Sequence, residues 1–396
     1  MHLRAYSVII AGFFTVSISY SIRYAYGMLL PAMLSILHIN KIQAGGIFSA
    51  YFITYTIATP ILGTLSDRFN YRLILTSFTM ILACGTLLMA YATTLLQASL
   101  SFSLVALGHA ACWAPVSALV QRWVPDDKRC AAISIVTMGV GLGISLWSIL
   151  LPMIVEIADC KAAWLCLGSL GLIVALLNLV LVRDPEAAIH IQNALTHQPS
   201  LCLLTLYKEV VHDRIFWIIG AAYLLVGFNV LIPFTFLPIY AREVLDLPYS
   251  AATRFLSVIA LSGIAGQVIL GLLPDTVGRI RIMILSGLIM GSGCLGMAIS
   301  PNRWILYFFT GVYGFGYGVV WPAYATAASD FFSSHHTGCL VGLWTVFLGL
   351  GSIISPPICG WAIDLTGNYT WGLLLGLISG VLSAIILLRL FNLRHV

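Results

Sequence analysis

Two charged, glycine-led stretches decide the fold: GTLSDRFNYR at residues 63–72 and, 208 residues further on, GLLPDTVGRIR at 271–281. Each lies between two long apolar runs, which is typical of a tight loop between membrane-spanning helices. Four further pairs recur at the same offset: Gly108 and Gly316, Trp113 and Trp321, Gly141 and Gly349, Gly143 and Gly351. The chain is therefore predicted to consist of two similar halves.

Both loops resemble the paired signature of the major facilitator superfamily, in which a glycine is followed by a small residue, Asp and a basic turn. The resemblance covers essentially the whole chain. It implies an all-α integral membrane protein with 12 transmembrane helices in two pseudo-symmetric six-helix bundles. The first loop departs from the pattern at Asn70, where a glycine is expected. Asn tolerates a left-handed turn better than most residues, so we expect the turn to be kept.

Composition leads to the same class without the family. Hydrophobic residues make up 60% of the 396 and charged residues 8%, with a mean hydropathy of +1.00. Such a chain is not an ordinary soluble globule but an integral membrane protein. The nine cysteines are scattered singly, without a CxxC, so we expect core packing and neither a disulfide nor a metal or cofactor. The sequence contains no nucleophile paired with a base, no paired carboxylates and no metal-ligand set. It therefore does not suggest an enzyme.

Apolar runs long enough to cross a hydrocarbon core of about 30 Å occur twelve times. They fall near 6–35, 45–66, 73–94, 98–121, 131–155 and 162–182, and then near 214–240, 250–272, 282–300, 304–328, 338–362 and 370–390. The longest polar interruption lies between the two sets. The predicted organisation is an N-terminal six-helix bundle at 1–182, a cytoplasmic linker at 183–213 and a C-terminal six-helix bundle at 214–396.

The basic residues predict the orientation. If the N-terminus is cytoplasmic, thirteen of the nineteen Lys and Arg residues fall in cytoplasmic segments and five in outer ones. This asymmetry satisfies the positive-inside rule. We expect a multi-pass protein of the cell membrane, the inner membrane in a bacterium, with both termini cytoplasmic. The net charge of +5 follows from this topology and indicates no nucleic-acid partner.

Arg23 is the remaining basic residue and lies in the middle of the first span. An arginine at this depth costs about 2.5–3.5 kcal/mol on insertion scales and is expected to face the bundle interior and a partner. Since all fourteen acidic residues lie at helix ends or in loops, we predict that the substrate is the partner. Ser19, Tyr20 and Tyr26 lie on the same helical face and complete a predicted binding stripe. The alternative is a structural arginine held by carbonyls or tyrosine hydroxyls.

His109 is the second polar group at this depth, near the middle of the fourth span, with Trp113 one turn further on. The family resemblance implies that the first and fourth helices are neighbours around the cavity. His109 could bind the substrate or carry a proton, since histidine titrates near pH 6.5 when unperturbed. A hydrogen-bonded histidine in a helix interface is the alternative.

The second half contributes four candidate binding residues: Asn229 in the seventh span, Gln267 in the eighth, and Tyr317 and Trp321 in the tenth. Gln267 stands where the resemblance to monocarboxylate and oxalate/formate-type members implies an arginine that binds the carboxylate. Either Arg23 replaces that charge, or the substrate is a different kind of molecule. The aromatic stripe could equally be bundle core.

The predicted function is secondary active transport of a small organic anion, such as a carboxylate, by alternating access. Coupling would be proton-linked or by exchange, and the protein would work as a monomer in the lipid bilayer. The loop charges are predicted to gate the cytoplasmic side: Asp67, Arg68, Arg72, Asp275, Arg279 and Arg281. Two alternatives stay open, namely an exporter of an amphipathic drug-like or siderophore-like metabolite and a non-transporting receptor on the same fold. The Gly-Pro pair usual in the fifth helix of drug exporters of the family is missing here.

Overall fold

The computed structural model describes residues 3–66, 69–125, 128–183, 212–271, 278–331 and 337–393, and this part of the chain contains helices and no strand. The helices are α1 Leu3–Leu37, α2 Lys41–Ser66, α3 Tyr71–Met89, α4 Leu95–Ala110, α5 Ala114–Trp123, α6 Arg129–Ile157, α7 Cys160–Leu181, α8 Arg214–Glu243, α9 Tyr249–Gly271, α10 Arg279–Ala298, α11 Arg303–Phe331, α12 Thr337–Thr366 and α13 Tyr369–Leu393. Each predicted span corresponds to one helix, except the fourth, which corresponds to α4 and α5 together.

By their internal contacts the helices form two compact units. Unit 1 comprises the described residues of Met1–Leu37 and Ala50–Leu201, and unit 2 those of His38–Ser49 and Cys202–Val396. In unit 1, α1 packs against α6 and α7, and α3 packs against α4 and α7. In unit 2, α8 packs against α12 and α13, and α10 against α11 and α13. The sequence repeat is thus also a repeat of packing.

The paired glycines explain why the packing repeats. A Cβ at Gly108 would collide with the α3 backbone at Leu82, and a Cβ at Gly316 would press on Ser286 and Ile289 of α10. Small residues of this kind let two helices approach closely within a membrane. The pair formed by Gly143 and Gly351 acts in the same way, the first against α1 and the second against α8.

A break divides the fourth span, because α4 ends at Ala110 and α5 begins at Ala114. Pro115 lies in the first turn of α5. Proline has no N–H to donate and its ring clashes with the carbonyl four residues earlier, so the helix is interrupted just before it. His109 therefore lies in the last turn of α4, where its carbonyl accepts a 2.9 Å hydrogen bond from the Cys112 amide. The predicted span at 98–121 is thus a single candidate membrane crossing, Leu95–Val120, that contains this break.

Eleven helices of the described residues are long and apolar enough to cross a membrane. The twelfth span, Arg303–Phe331, is a helix of 29 residues. Large apolar side chains such as Ile57 and Leu176 are exposed on the outer helix surfaces, as expected for contact with lipid. This is a multi-pass membrane protein.

Unit 2 includes the beginning of α2, where a polar cluster joins four helix ends. Lys41 Nζ lies 3.1 Å from Glu243 Oε2, and the Tyr369 hydroxyl donates to the same oxygen at 2.6 Å. Asp364 Oδ2 accepts a 3.0 Å hydrogen bond from the Ile42 amide in the first turn of α2. An acidic oxygen at a helix N-terminus satisfies an otherwise unpaired donor and complements the helix dipole.

Candidate functional site

Arg23 lies in the middle of α1 and is only 4% exposed. Its guanidinium carbon lies 4.4 Å from the ring centre of Tyr55, 5.0 Å from Tyr20, 5.2 Å from Phe52 and 5.3 Å from Tyr51. The negative faces of aromatic rings attract a cation at such distances. No carboxylate of the described residues lies within ion-pair distance of it. In the described part of the chain the charge is therefore buried among rings without a counter-ion, and Arg23 points into the interior of unit 1.

Tyr51 joins Arg23 to His109. Arg23 Nε donates a 2.9 Å hydrogen bond to the Tyr51 hydroxyl oxygen, and that hydroxyl lies 2.6 Å from His109 Nδ1. A guanidinium can only donate, so the tyrosine oxygen is the acceptor in the first bond. In the arrangement that uses each group once, the hydroxyl donates to Nδ1, and a neutral His109 then carries its hydrogen on Nε2.

Two nitrogen atoms of this group are left over. Arg23 Nη2 and His109 Nε2 are buried, and neither has a hydrogen-bond partner among the described residues. The other buried, unpartnered side-chain atoms in that part of the chain are hydroxyl oxygens. An unsatisfied buried donor costs about 1–3 kcal/mol, and more when it is charged. Two such donors beside one positive charge are suited to bind an anion that accepts both hydrogen bonds.

Aromatic rings surround the histidine as well as the arginine. The rings of Tyr20 and Tyr55 meet the His109 ring edge-on, with centroids 4.7 Å and 5.5 Å away. We call the group formed by Arg23, Tyr51 and His109, with the rings of Tyr20, Phe52 and Tyr55, the Arg23 cluster. It draws on α1, α2 and α4, and all of it lies in unit 1.

The other predicted binding residues of unit 1 lie around this cluster or outside it. The Tyr26 ring stacks on Phe102, 4.9 Å between centroids, and Phe102 also contacts Tyr51. Ser19 is buried and its hydroxyl donates to the Val16 carbonyl. Trp113 is half-buried and packs against an apolar core formed by α1, α3, α5 and α6. Tyr26 thus supports the cluster from behind, whereas Ser19 and Trp113 have packing partners of their own.

In unit 2 the predicted residues form two groups. Asn229 is buried and donates from Nδ2 to the Gly376 carbonyl at 2.5 Å, while Cys294 Sγ lies 3.8 Å from its Oδ1. Tyr317 and Trp321 form an edge-to-face pair, with ring centroids 6.3 Å apart. Gln267 is partly exposed on α9. The amide of Asn229 therefore ties α8 to α13 and α10. The two rings of the aromatic stripe pack against each other and against aromatic rings of α8.

Of the predicted gating residues, Asp67, Arg68 and Asp275 lie outside the described residues. Arg72 Nε donates a 2.6 Å hydrogen bond to the Leu179 carbonyl near the end of α7. Arg279 and Arg281 stand in the first turn of α10, after Gly278 with a φ of 94°. This positive φ explains the glycine of the second loop. The gating role itself stays a prediction.

Sequence reasoning missed Tyr51, Phe52 and Tyr55. They lie on α2 within a run that reads as ordinary apolar helix. The spacing of four between the two tyrosines puts both hydroxyl-bearing rings on one face, and that is the one signal the sequence offers. It does not say which helix that face meets.

The sequence model of the Major Facilitator Superfamily matches residues 12–299 and 255–396. The chain belongs to this family. Its members are membrane transporters, which agrees with the two similar helical units and gives no support to an enzyme. A likeness to a solved structure agrees on the fold: the nucleoside transporter NupG superposes with a TM-score of 0.81 at 14% identity, over 97% of this chain and all of that one.

Two relatives of this chain are named as transporters of organic acids. "Monocarboxylate transporter 13" of Bos taurus is 25% identical over 378 residues, covering 92% of this chain and 84% of the relative. The "Gentisate transporter" of Corynebacterium glutamicum is 23% identical over 402 residues, covering 98% of this chain and 88% of the relative. Both likenesses extend over nearly the whole chain.

Proposed function

We propose that this protein is a secondary transporter of a small organic anion with a carboxylate group, which binds at the Arg23 cluster. The observation that carries the proposal is the pair of buried donors, Arg23 Nη2 and His109 Nε2. Among the described residues they have no hydrogen-bond partner, and the positive charge beside them has no counter-ion. A carboxylate has two acceptor oxygens and one negative charge. It would satisfy both donors and neutralise the guanidinium, and no neutral solute would do both.

The aromatic rings also influence which kind of group can lie next to the carboxylate of the substrate. Tyr20, Phe52 and Tyr55 line the guanidinium with ring faces, which favour an apolar group beside the bound carboxylate over a strongly hydrated one. Burial among rings lowers the local dielectric constant and so strengthens the charge interaction with a bound anion. The names of the two relatives, one for monocarboxylates and one for an aromatic acid, support the same class of substrate.

The transport cycle that we infer is alternating access. Anion binding changes the relative stability of inward-open and outward-open states. The two halves that we propose as moving bodies are the bundles at 1–182 and 214–396, with the linker at 183–213. The arginines of the two loops, among them Arg72 and Arg279, would stabilise the closed cytoplasmic side. We infer cytoplasmic termini from the distribution of basic residues, and a monomer as the working unit.

The first test is ligand-induced thermal stabilisation of the purified protein. The panel contains L-lactate, gentisate, D-glucarate, inorganic phosphate, L-leucine and tetraphenylphosphonium. We expect one or more carboxylates to stabilise the wild type, by about 2.7 kcal/mol at one hundred times the dissociation constant. Arg23→Ala should lose this stabilisation, and Arg23→Lys should keep a small part of it, because an ammonium retains the charge but not the planar fork.

The matched control is Arg303→Ala, which removes an exposed arginine that lies over Trp304 in unit 2. It should respond to carboxylates as the wild type does. If the cationic or uncharged compounds stabilise the protein and Arg23→Ala binds them equally well, the anion proposal is wrong and Arg23 is structural. Ligand binding without flux in proteoliposomes would instead favour a receptor.

A further inference from the structure

Three helix ends meet at one end of unit 1: the start of α3 and the ends of α5 and α7. Arg72 Nε of α3 donates a 2.6 Å hydrogen bond to the Leu179 carbonyl in the last turn of α7. The Trp123 indole N–H, at the end of α5, donates a 2.8 Å hydrogen bond to the Arg183 carbonyl just after α7. The first bond satisfies a carbonyl that the end of a helix leaves unpaired. Together the two bonds hold α7 to α3 and α5.

Three arginines are brought to this end of the unit. Arg122 lies beside Trp123 in the last turn of α5, and its guanidinium carbon lies 4.9 Å from the ring centre of Tyr71, the first residue of α3. Tyr71 is buried in the apolar core formed by α1, α3, α5 and α6. Arg122 and Arg183 are exposed, and Arg72 is half-buried. We call Arg72, Arg122 and Arg183 the arginine group.

The two ends of unit 1 differ in charge. Among the described residues no acidic side chain lies at the end with the arginine group, and neither Arg72 nor Arg183 has a carboxylate within ion-pair distance. At the opposite end Lys161 lies in the first turn of α7, with Glu156 near the end of α6 and Asp159 at the N-cap of α7. The described residues therefore concentrate positive charge at one end, where it can attract an anion.

Exposed apolar side chains begin next to the arginine group. α3 and α7 pack against each other, and their exposed residues include Leu73 and Met80 on α3 and Leu176 and Val180 on α7. Leu73 follows Arg72 directly, and Val180 lies in the last turn of α7. The outer surface of this helix pair is thus apolar next to a cationic end. A phospholipid has the same division, with its phosphate at the membrane surface and its acyl chains along the helices.

We propose that the arginine group binds the phosphate of an anionic phospholipid, such as phosphatidylglycerol. A guanidinium donates two parallel hydrogen bonds to phosphate oxygens, and Trp123 is of the residue type enriched where headgroups lie. A headgroup with a net negative charge is favoured, because the choline of a zwitterionic lipid would place another cation beside the arginines. In the orientation proposed above, the lipid belongs to the cytoplasmic leaflet. The site goes beyond the proposed function and does not depend on what the Arg23 cluster binds.

Native mass spectrometry of the purified full chain tests this site, after co-purified lipids have been removed with detergent. Palmitoyl-oleoyl phosphatidylglycerol and palmitoyl-oleoyl phosphatidylcholine are added in equal amounts, so that the competing lipids differ only in their headgroups. Phosphatidylglycerol should bind at least about tenfold more tightly, because each basic residue near the headgroup contributes about fivefold in affinity. Its advantage should shrink as the salt concentration rises, since salt screens the arginine charges. These two measurements need no variant.

A double variant assigns the binding to the arginine group. Arg122→Gln combined with Arg183→Gln removes the two exposed charges and leaves Arg72 in place to hold α7. It should bind phosphatidylglycerol more than about tenfold more weakly than the wild type and phosphatidylcholine equally well. If the double variant does not fold, Arg183→Gln alone should still weaken phosphatidylglycerol binding by about fivefold.

The matched control combines Arg254→Gln with Arg303→Gln. It removes two exposed arginines of unit 2 and so changes the net charge by the same amount. Arg303 also lies over an aromatic ring, that of Trp304, at the same 4.9 Å as Arg122 over its own ring. The control should keep the wild-type preference for phosphatidylglycerol.

Several results would overturn the proposal. The wild type could bind the two lipids equally well, or the control could lose as much phosphatidylglycerol binding as the variant of the arginine group. Displacement of the lipid by an equal concentration of inorganic phosphate would make the ligand a free anion, and a loss below about twofold in Arg183→Gln would remove that residue from the site. The proposed function stands or fails separately, by stabilisation with carboxylates.

Discussion

The two units share a packing scheme but differ in what they hold at matching positions. At the 208-residue offset, the three polar residues of the Arg23 cluster correspond, in the order Arg23, Tyr51 and His109, to Leu231, Ile259 and Tyr317. All three counterparts are buried in unit 2. The repeat has thus kept the helices and their glycine contacts, while among the described residues only unit 1 carries a buried charge.

The difference extends to how the buried side-chain nitrogens of the described residues are satisfied. In unit 2 the buried amide of Asn229 has partners at both ends, on Gly376 and Cys294. In unit 1, Arg23 and His109 each keep one nitrogen without a partner among the described residues. A fully satisfied group stabilises packing, whereas a group left unsatisfied costs free energy until something binds. This contrast suggests that unit 1 holds the anion and that Asn229 serves the fold.

Exchanging the residues at the matching positions should give the largest effects. Leu231→Arg buries a charge without the aromatic partners of Arg23 and should cost about 3–5 kcal/mol, enough to prevent recovery of folded protein. Arg23→Leu should fold as well as the wild type or better, because it removes an unsatisfied charge, yet lose stabilisation by carboxylates. Size-exclusion chromatography in detergent shows whether each variant folds. Thermal unfolding with and without a carboxylate measures its stability and its stabilisation by the ligand. A well-folded Leu231→Arg, or an unfolded Arg23→Leu, would contradict the contrast.

Asn229→Ala should have an intermediate effect. It removes the hydrogen bond from Asn229 to the Gly376 carbonyl, which keeps a 2.9 Å bond from the Ser379 hydroxyl, and should lower the free energy of unfolding by about 0.5–1.5 kcal/mol. The shift in unfolding temperature caused by a saturating carboxylate should stay as in the wild type. If instead the ligand-induced shift disappears while stability is kept, Asn229 binds substrate as the sequence predicted, and the division between the units is wrong.

Lys41→Ala should have the smallest effect. It removes the ion pair between Lys41, whose side chain is 20% exposed, and Glu243, whose side chain is 48% exposed. Ion pairs this exposed contribute about 0–1 kcal/mol. Thermal unfolding at low and high salt should show a difference from the wild type that shrinks as salt rises. A loss above 2 kcal/mol would show that the polar cluster at the start of α2 matters more to unit 2 than its exposure indicates.

Much of the fold could be predicted from the sequence because its signals are local. Apolar runs of about 20 residues predict spans wherever they occur, and the repeated loops predict two halves before any contact is known. The break between α4 and α5 was harder to predict from the sequence. Pro115 hinted at a weakened helix, but a proline kinks some membrane helices and interrupts others, depending on what satisfies the freed backbone groups.

The sequence by itself determined that Arg23 must find a partner, since an arginine in a membrane span without a carboxylate at its depth is costly in any arrangement. It also indicated that His109 is a second polar group at that depth. Only the tertiary structure decided that Tyr51 joins the two and that Tyr20, Phe52 and Tyr55 enclose them. It also decided that one nitrogen of each has no partner among the described residues. These facts depend on which faces of α1, α2 and α4 meet. Helices that are apolar all round carry no hydrophobic stripe that reveals their inward face, so close packing fixes it.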